Sequence, residues 1–199
     1  MKRVSRILAV VALSLFVGGI ANAQIKVGVG GGIQLPIGDF GDENIMGAKI
    51  GFGGGVSGEY MVNENIGVGV SGGYYMFGGP EAKFEEEGIK MELSNSYSLI
   101  PIVANAKYYF ATEGFKPYGG VDVGIYMFGV TSEVSVLGIS QSATASTTEF
   151  GAAPVFGFQY DFSDALALDV NAKFNMIFAT GTTLMAPGLN VGIVYSFGK

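Results

Sequence analysis

The sequence predicts an all-β protein: an eight-stranded antiparallel up-and-down transmembrane β-barrel that follows a cleaved signal peptide. Three observations carry this prediction. Apolar residues recur at every second position through eight segments of roughly ten residues, the length a tilted membrane strand needs. The connections between these segments alternate between short and long. Aromatic residues gather at one end of the even-numbered segments, always on the apolar face.

Residues 1–23 read as the signal peptide. Lys2, Arg3 and Arg6 form a basic n-region, Ile7 to Ile20 is apolar, and Ala21-Asn22-Ala23 is an A-x-A cleavage site. The apolar run is short for a bilayer-spanning helix, and no stop-transfer charges follow it. Residues 24–199 then form the barrel domain, with Gln24 as its expected first residue. The leader contains three of the eleven bases and none of the seventeen acids, so the domain has eight bases against seventeen acids, a net charge of −9. That balance argues against a nucleic-acid partner. With no cysteine in the chain, a lipidated N-terminal cysteine and a disulfide scaffold are both excluded.

The first predicted strand, Gln24 to Leu35, carries Lys26 and Gln34 on its polar face. The second, Lys49 to Val62, carries Glu59, and the third, Ile66 to Phe77, alternates through IGVGVSGGYYM. The fourth, Ser96 to Phe110, carries Asn105 and Lys107. The fifth, Lys116 to Phe128, carries Asp122, and the sixth, Phe150 to Phe162, carries Gln159. The seventh, Ala165 to Phe178, is the clearest, because Leu166, Leu168, Val170, Phe174 and Met176 alternate with Asp169, Asn171, Lys173 and Asn175. Steps of two residues scatter such a pattern around a helix but sort it cleanly on a strand. The eighth, Gly188 to Phe197, carries Asn190. Glycine, at 33 residues, sits inside these segments and suits a tightly curved barrel wall.

Short turns are expected at 61–65, 111–115 and 162–164, and longer connections at 36–48, 78–95, 129–149 and 179–187. This is the asymmetry of periplasmic turns against extracellular loops. Tyr60, Tyr108, Phe110, Tyr160, Phe162, Tyr195 and Phe197 keep the parity of their strands' apolar faces and form a predicted periplasmic aromatic girdle. The apolar face therefore points to lipid. The opposite face seals Lys26, Glu59, Lys107, Asp122, Asp169, Asn171 and Lys173 into a lumen-lining polar network. Pro101 and Pro154 each delete a ladder donor inside a strand, so bulges in the outer half of the barrel are expected there.

Four stretches resemble a known family. NVGIVYSF, with Val191, Ile193, Tyr195 and Phe197, resembles the C-terminal signal read by the outer-membrane barrel assembly machinery, although Gly198 and Lys199 follow the last aromatic. IPIVANAKYYF, KPYGGVDVGIY and GGGIQLPIGDF resemble strands of the small eight-stranded barrel domain of OmpX-like and OmpA-like proteins. The resemblance implies the bacterial outer membrane, surrounding lipid and lipopolysaccharide, and that machinery as a partner in biogenesis. It also implies a structural or surface-interaction role, with a small porin-like channel as the alternative.

Little in the chain points to chemistry. There is no histidine, which removes the usual base near neutral pH, and no cysteine or histidine cluster for zinc. No catalytic residue, cofactor or metal site is expected. GVGVSG (67–72) matches a G-x-G-x-x-G but lies within a strand with no helix behind it. The acidic stretch from Pro80 to Leu93 reads as a hairpin projecting beyond the membrane, with its tip near Glu87-Gly88, or more simply as a solvated acidic loop, and the Ser/Thr-rich stretch from Val130 to Glu149 is likewise expected to extend above the barrel. Sharper readings of the acidic stretch are a cation-bridged contact to lipopolysaccharide phosphates or a strand-addition edge.

Overall fold

The structure, a computed structural model, describes residues 24–86, 89–136 and 139–198. The predicted signal peptide and the Glu87-Gly88 tip lie outside the described residues. The strands are β1 (Ile25–Gln34), β2 (Gly51–Met61), β3 (Ile66–Glu86), β4 (Ile89–Tyr109), β5 (Phe115–Val136), β6 (Ile139–Asp161), β7 (Leu166–Ala179) and β8 (Thr182–Phe197). They form a closed antiparallel barrel in chain order, with β8 pairing back to β1 from Ile25↔Phe197 to Gln34↔Gly188. Closure leaves no strand edge within the membrane-spanning wall, where an unpaired backbone group would cost several kcal/mol.

Alternation sets the direction of every side chain. On β7, Ala167, Asp169, Asn175 and Ile177 are buried, whereas Leu166 and Phe178 are exposed. On β1, Lys26 and Gln34 are buried between exposed Ile25, Val27, Val29 and Ile33. β1 has 10 residues, which at about 3.3 Å per residue and about 40° of tilt spans about 25 Å, the height of an apolar membrane band.

β3 to β6 are about twice as long, at 21, 21, 22 and 23 residues. The stretches 78–95 and 129–149, expected as long connections projecting beyond the membrane, are largely continuations of these strands, and the four rise together as one sheet beyond the barrel. The reason is visible in the pairing. Above the row Ile100–Met127–Thr148, the outward rows become Ser98–Gly129–Ser146 and Ser96–Thr131–Thr144, while the lumen-side rows, Tyr97–Val130–Ala145, Asn95–Ser132–Ala143 and Leu93–Val134–Gln141, become mostly apolar. The alternation persists with its sign reversed, as water replaces lipid outside.

Two further expectations are corrected. The stretch 179–187 is mostly β8, leaving a two-residue turn at Thr180-Gly181 in which Gly181 has φ +84°, a conformation suited to glycine. Pro101 and Pro154 produce no bulge. Register continues unchanged from Gly72↔Ile102 to Tyr75↔Leu99 and from Ala152↔Met176 to Val155↔Lys173. Each proline stays paired on its other side, with Tyr126 and Val121 respectively, so only the ladder beside it is interrupted. The register shift lies instead between Gly78 and Glu81, around Pro80.

The connection from β1 to β2 folds back into the outer mouth. Its single 3-10 turn, Gly38–Phe40, places Phe40 at 1 % exposure among Phe77, Tyr97 and Phe128, edge-on at centroid distances of 5.1, 5.7 and 5.5 Å. Ile37 bridges to Met185, Ala48 N donates to Phe40 O at 3.0 Å, and Tyr97 donates its hydroxyl to Met46 O. Leu99, Ile177, Leu184 and Ala186 complete this apolar core.

Candidate functional site

The lumen is the enclosed polar space of the molecule, and three layers fill it. The periplasmic layer centres on Glu59. Lys107 Nζ lies 2.8 Å from Glu59 Oε2, Tyr109 donates to Oε1 at 2.6 Å, and Lys26 Nζ stands 3.7 Å from Oε1. Lys26 also donates to Gln159 at 3.2 Å and sits 4.3 Å from the centre of the Tyr109 ring. Gln159 donates to Asp169 at 3.1 Å, and Asp169 accepts Tyr118 at 3.0 Å and Asn171 at 2.6 Å. One hydrogen-bonded chain then continues through Asn190 to Tyr75. Burying charge at this depth requires such pairing, because an isolated ion here costs several kcal/mol.

The middle layer holds Lys173 paired to Asp122 at 2.6 Å. Beside it lies a cavity of about 120 Å³, room for on the order of eight waters. The buried Asn105 contributes to its lining, and Asn105 Oδ1 has no protein hydrogen-bond partner. The cavity exists because the inward positions of β8, β1, β2 and β3 are largely bare: Gly28, Gly30, Gly55, Gly73 and Gly192 line it. The opposite wall carries the large side chains. There glycine serves close approach, since a Cβ on Gly157 would lie 2.8 Å from Tyr118 Cζ and one on Gly151 would lie 2.6 Å from the Tyr126 ring. Above the cavity, Asn175 donates to Gln34 at 2.9 Å and accepts Tyr126 at 3.4 Å, directly beneath the Phe40 core.

Lys26, Glu59, Lys107, Asp122, Asp169, Asn171 and Lys173 thus all point inward, and all but the Lys173–Asp122 pair share one connected network. Sequence reading missed Lys116 and Asp161, an inward pair at 2.6 Å near the periplasmic rim, and the inward tyrosines 75, 109, 118 and 126. Parity contained the signal. Tyr109 follows Lys107 by two residues, but the neighbouring outward rings of Tyr108 and Phe110 drew attention to the other face.

Tyr108, Phe110, Tyr160, Phe162, Tyr195 and Phe197 are exposed at the short-turn end, with Tyr60 partly so. Tyr195 and Phe197 meet edge-on at 4.6 Å, as do Tyr108 and Phe110 at 5.4 Å. Val191 and Ile193 continue the exposed face of β8. Among the described residues, no group of histidine, cysteine or acidic side chains is arranged to hold a metal.

A family model described as the outer membrane protein beta-barrel domain matches residues 7–197. No curated protein matches the chain. Solved structures with a similar fold include a major outer membrane protein from Thermus thermophilus, with a TM-score of 0.58 and 12% identity, covering 88% of this chain and 99% of that one. OprG from Pseudomonas aeruginosa gives a TM-score of 0.53 and 14% identity, over 90% of this chain and 97% of that one. Ail, the attachment invasion locus protein of Yersinia pestis, gives 0.52 and 16%, over 88% and 99%. The family match and the closed eight-stranded barrel agree: the chain belongs to the outer membrane protein beta-barrel domain family and is an integral β-barrel of the bacterial outer membrane.

Proposed function

We propose that this barrel has a structural and surface-interaction role, with no catalytic or transport cycle. The carrying observation is the sheet formed by β3 to β6, which rises beyond the lipid belt with its faces reversed and presents one open edge. That edge is β6 from Ile139 to Thr148, exposed throughout, with no charged residue and no proline. The β3 edge is guarded by Pro80, the register shift and Glu81, so strand addition is favoured at β6 rather than along 80–86. Attachment of cells to protein-coated surfaces is expected to rise with the protein and to fall when Ala143→Lys and Ala145→Lys charge the edge. Equal attachment by cells with and without the protein would remove the surface role.

A closed lumen supports the absence of transport, since the Glu59 layer and the Phe40 core each seal it. The glycine-lined cavity favours the second reading, a small porin-like channel. Conductance across planar bilayers separates the two: silence is expected, and steady currents from the parent chain would favour the channel. Outer-membrane lipid and lipopolysaccharide are the proposed surroundings, and Val191, Ile193, Tyr195 and Phe197 the proposed contact for the assembly machinery.

A further inference from the structure

We infer that the open β6 edge is a self-recognition surface, at which two copies standing in facing membranes pair antiparallel across a twofold axis. This rests on the surface-interaction reading of that edge and names its partner as a second copy of the chain.

Backbone direction makes the edge available. Asp161 N donates to Gly114 O, on the β5 side, and Phe162 N donates to Leu166 O, on the β7 side. The β5 register then runs without a shift from Phe115↔Tyr160 to Val136↔Ile139, so the alternation carries up the strand. The N–H and C=O groups of Ser140, Ser142, Thr144 and Ser146 therefore point to the open side, and the β7 ladder begins only at Phe150. Side-chain contacts agree. Thr131 and Thr144 meet at 3.0 Å and Ser135 and Ser140 at 2.7 Å, the close approach expected of pairs that exchange no backbone bonds.

The segment is its own complement. With Ala143 opposite Ala143 of the second copy, Ser140 meets Ser146 and Ser142 meets Thr144 on the outward face. Gln141 meets Ala145 and Ile139 meets Thr147 on the lumen side. The four even-numbered residues then exchange about eight backbone hydrogen bonds. No residue of 139–148 is charged, and only Ile139 and Gln141 are larger than threonine, so a domain of net charge −9 meets itself along a stretch that carries none. Each copy also brings a strand already extended and held by β5, which spares the ordering cost of a flexible partner.

The membrane decides which copies can pair. Copies in one membrane are related by rotation about its normal, so two β6 edges tilted about 40° cross at about 80° with opposite faces turned to each other, and no ladder forms. Copies in facing membranes can be related by a twofold perpendicular to the sheet. That operation runs the strands antiparallel and keeps both lumen-side faces on one side. The rows of Thr148 then lie about ten residues apart, which sets the two lipid surfaces about 25 Å from each other. The β3 edge offers no substitute, because Gly78 O already accepts Lys49 N at 2.8 Å and Pro80 interrupts the strand beyond it. One such contact is small, and many copies on two facing surfaces add theirs together.

The chain has no cysteine, so introduced ones report the register. Full chains bearing Ala143→Cys or Ser146→Cys are placed one per lipid nanodisc and mildly oxidised. Position 143 meets itself across the twofold with about 4.5 Å between Cα atoms, within disulfide reach, whereas position 146 stands about 20 Å from its copy. Ala143→Cys is expected to link pairs of discs in at least about tenfold the yield of Ser146→Cys. Adding Thr144→Pro removes an edge donor without touching the β5 ladder, and is expected to return the yield to the Ser146→Cys level. Equal yields for Ala143→Cys and Ser146→Cys would overturn the pairing, as would linkage confined to copies that share a disc. Equal yields alongside edge-dependent attachment to protein-coated surfaces would overturn self-pairing and leave the surface-interaction reading standing, whereas loss of that attachment as well would remove both.

Discussion

Replacing Glu59 by glutamine keeps its shape and removes the anion on which the periplasmic layer is built. Glu59 is 6 % exposed and is approached by Lys107 at 2.8 Å, Lys26 at 3.7 Å and the Tyr109 hydroxyl at 2.6 Å. At an effective dielectric constant near 20, the closer ion pair has a gross attraction of about 6 kcal/mol. The variant loses that attraction and leaves two lysines inside the wall. Breaking one side of a buried pair in this way costs about 3–5 kcal/mol. Lys107 borders the cavity and regains some solvation, which places the expectation near the lower bound, about 3 kcal/mol. Adding Lys107→Met removes one stranded charge, so the double variant is expected to recover at least about 1 kcal/mol relative to the sum of the single changes. Equilibrium urea unfolding in lipid vesicles, read by circular dichroism, measures both through the midpoint at constant slope. A loss below about 1 kcal/mol for Glu59→Gln, or strict additivity in the cycle, would show that Glu59 does not organise the layer.

Other expectations follow from single contacts. Gly157→Ala places a Cβ 2.6 Å from Val170 O and against the Tyr118 ring, so a loss of about 1–3 kcal/mol is expected, whereas Gly58→Ala, with nothing within 4 Å, stays near neutral; the same unfolding assay compares them. Val29→Lys, at a mid-belt position 63 % exposed to lipid, is expected to cost about 2–4 kcal/mol, and a neutral result would place that face elsewhere than in lipid. Phe40→Ala empties the centre of the outer core, and limited proteolysis is expected to cleave the 41–50 connection sooner while the barrel persists. If Phe197 contributes to the assembly signal, Phe197→Ala lowers the folded fraction in cells more than it lowers refolding in detergent, and equal losses in both would assign Phe197 a purely structural role.

Much of this architecture was legible because a barrel wall obeys a single rule, parity. Asp169, Asn171 and Lys173 were assigned inward from ALALDVNAKF without any knowledge of their partners, and the structure places them inside. Partners were not legible, because Glu59 and Lys107 lie on strands that do not pair with each other: β2 meets β3, and β3 meets β4. Their meeting over β3 depends on barrel curvature and on the small residue, Gly67, that stands between them on that intervening strand. Lys116 and Asp161 were missed for a simpler reason. They stand at strand ends, where an inward position and a turn position look alike in sequence.

The projection of 80–93 and 130–149 beyond the membrane was legible, but not that β3 to β6 continue into it as one sheet, for a reason that also locates the membrane surface. A search for lipid-facing alternation tests one sign of the pattern, and above Ile100, Met127 and Thr148 the sign reverses while the strands continue. Valines 130, 134 and 136, inward by the same parity as Asp122, stand where polar residues stand lower down. The reversal separates two solvents acting on one continuous backbone: hydrocarbon outside and polar side chains inside below the line, water outside and a mostly apolar face inside above it. Phe40 sits where the two regimes meet, capping the polar cavity from above and packing against Tyr97 and Phe128 at the base of the apolar face. The same residue therefore closes the lumen and roots the projecting sheet, which ties the sealed interior to the surface that the barrel carries outward.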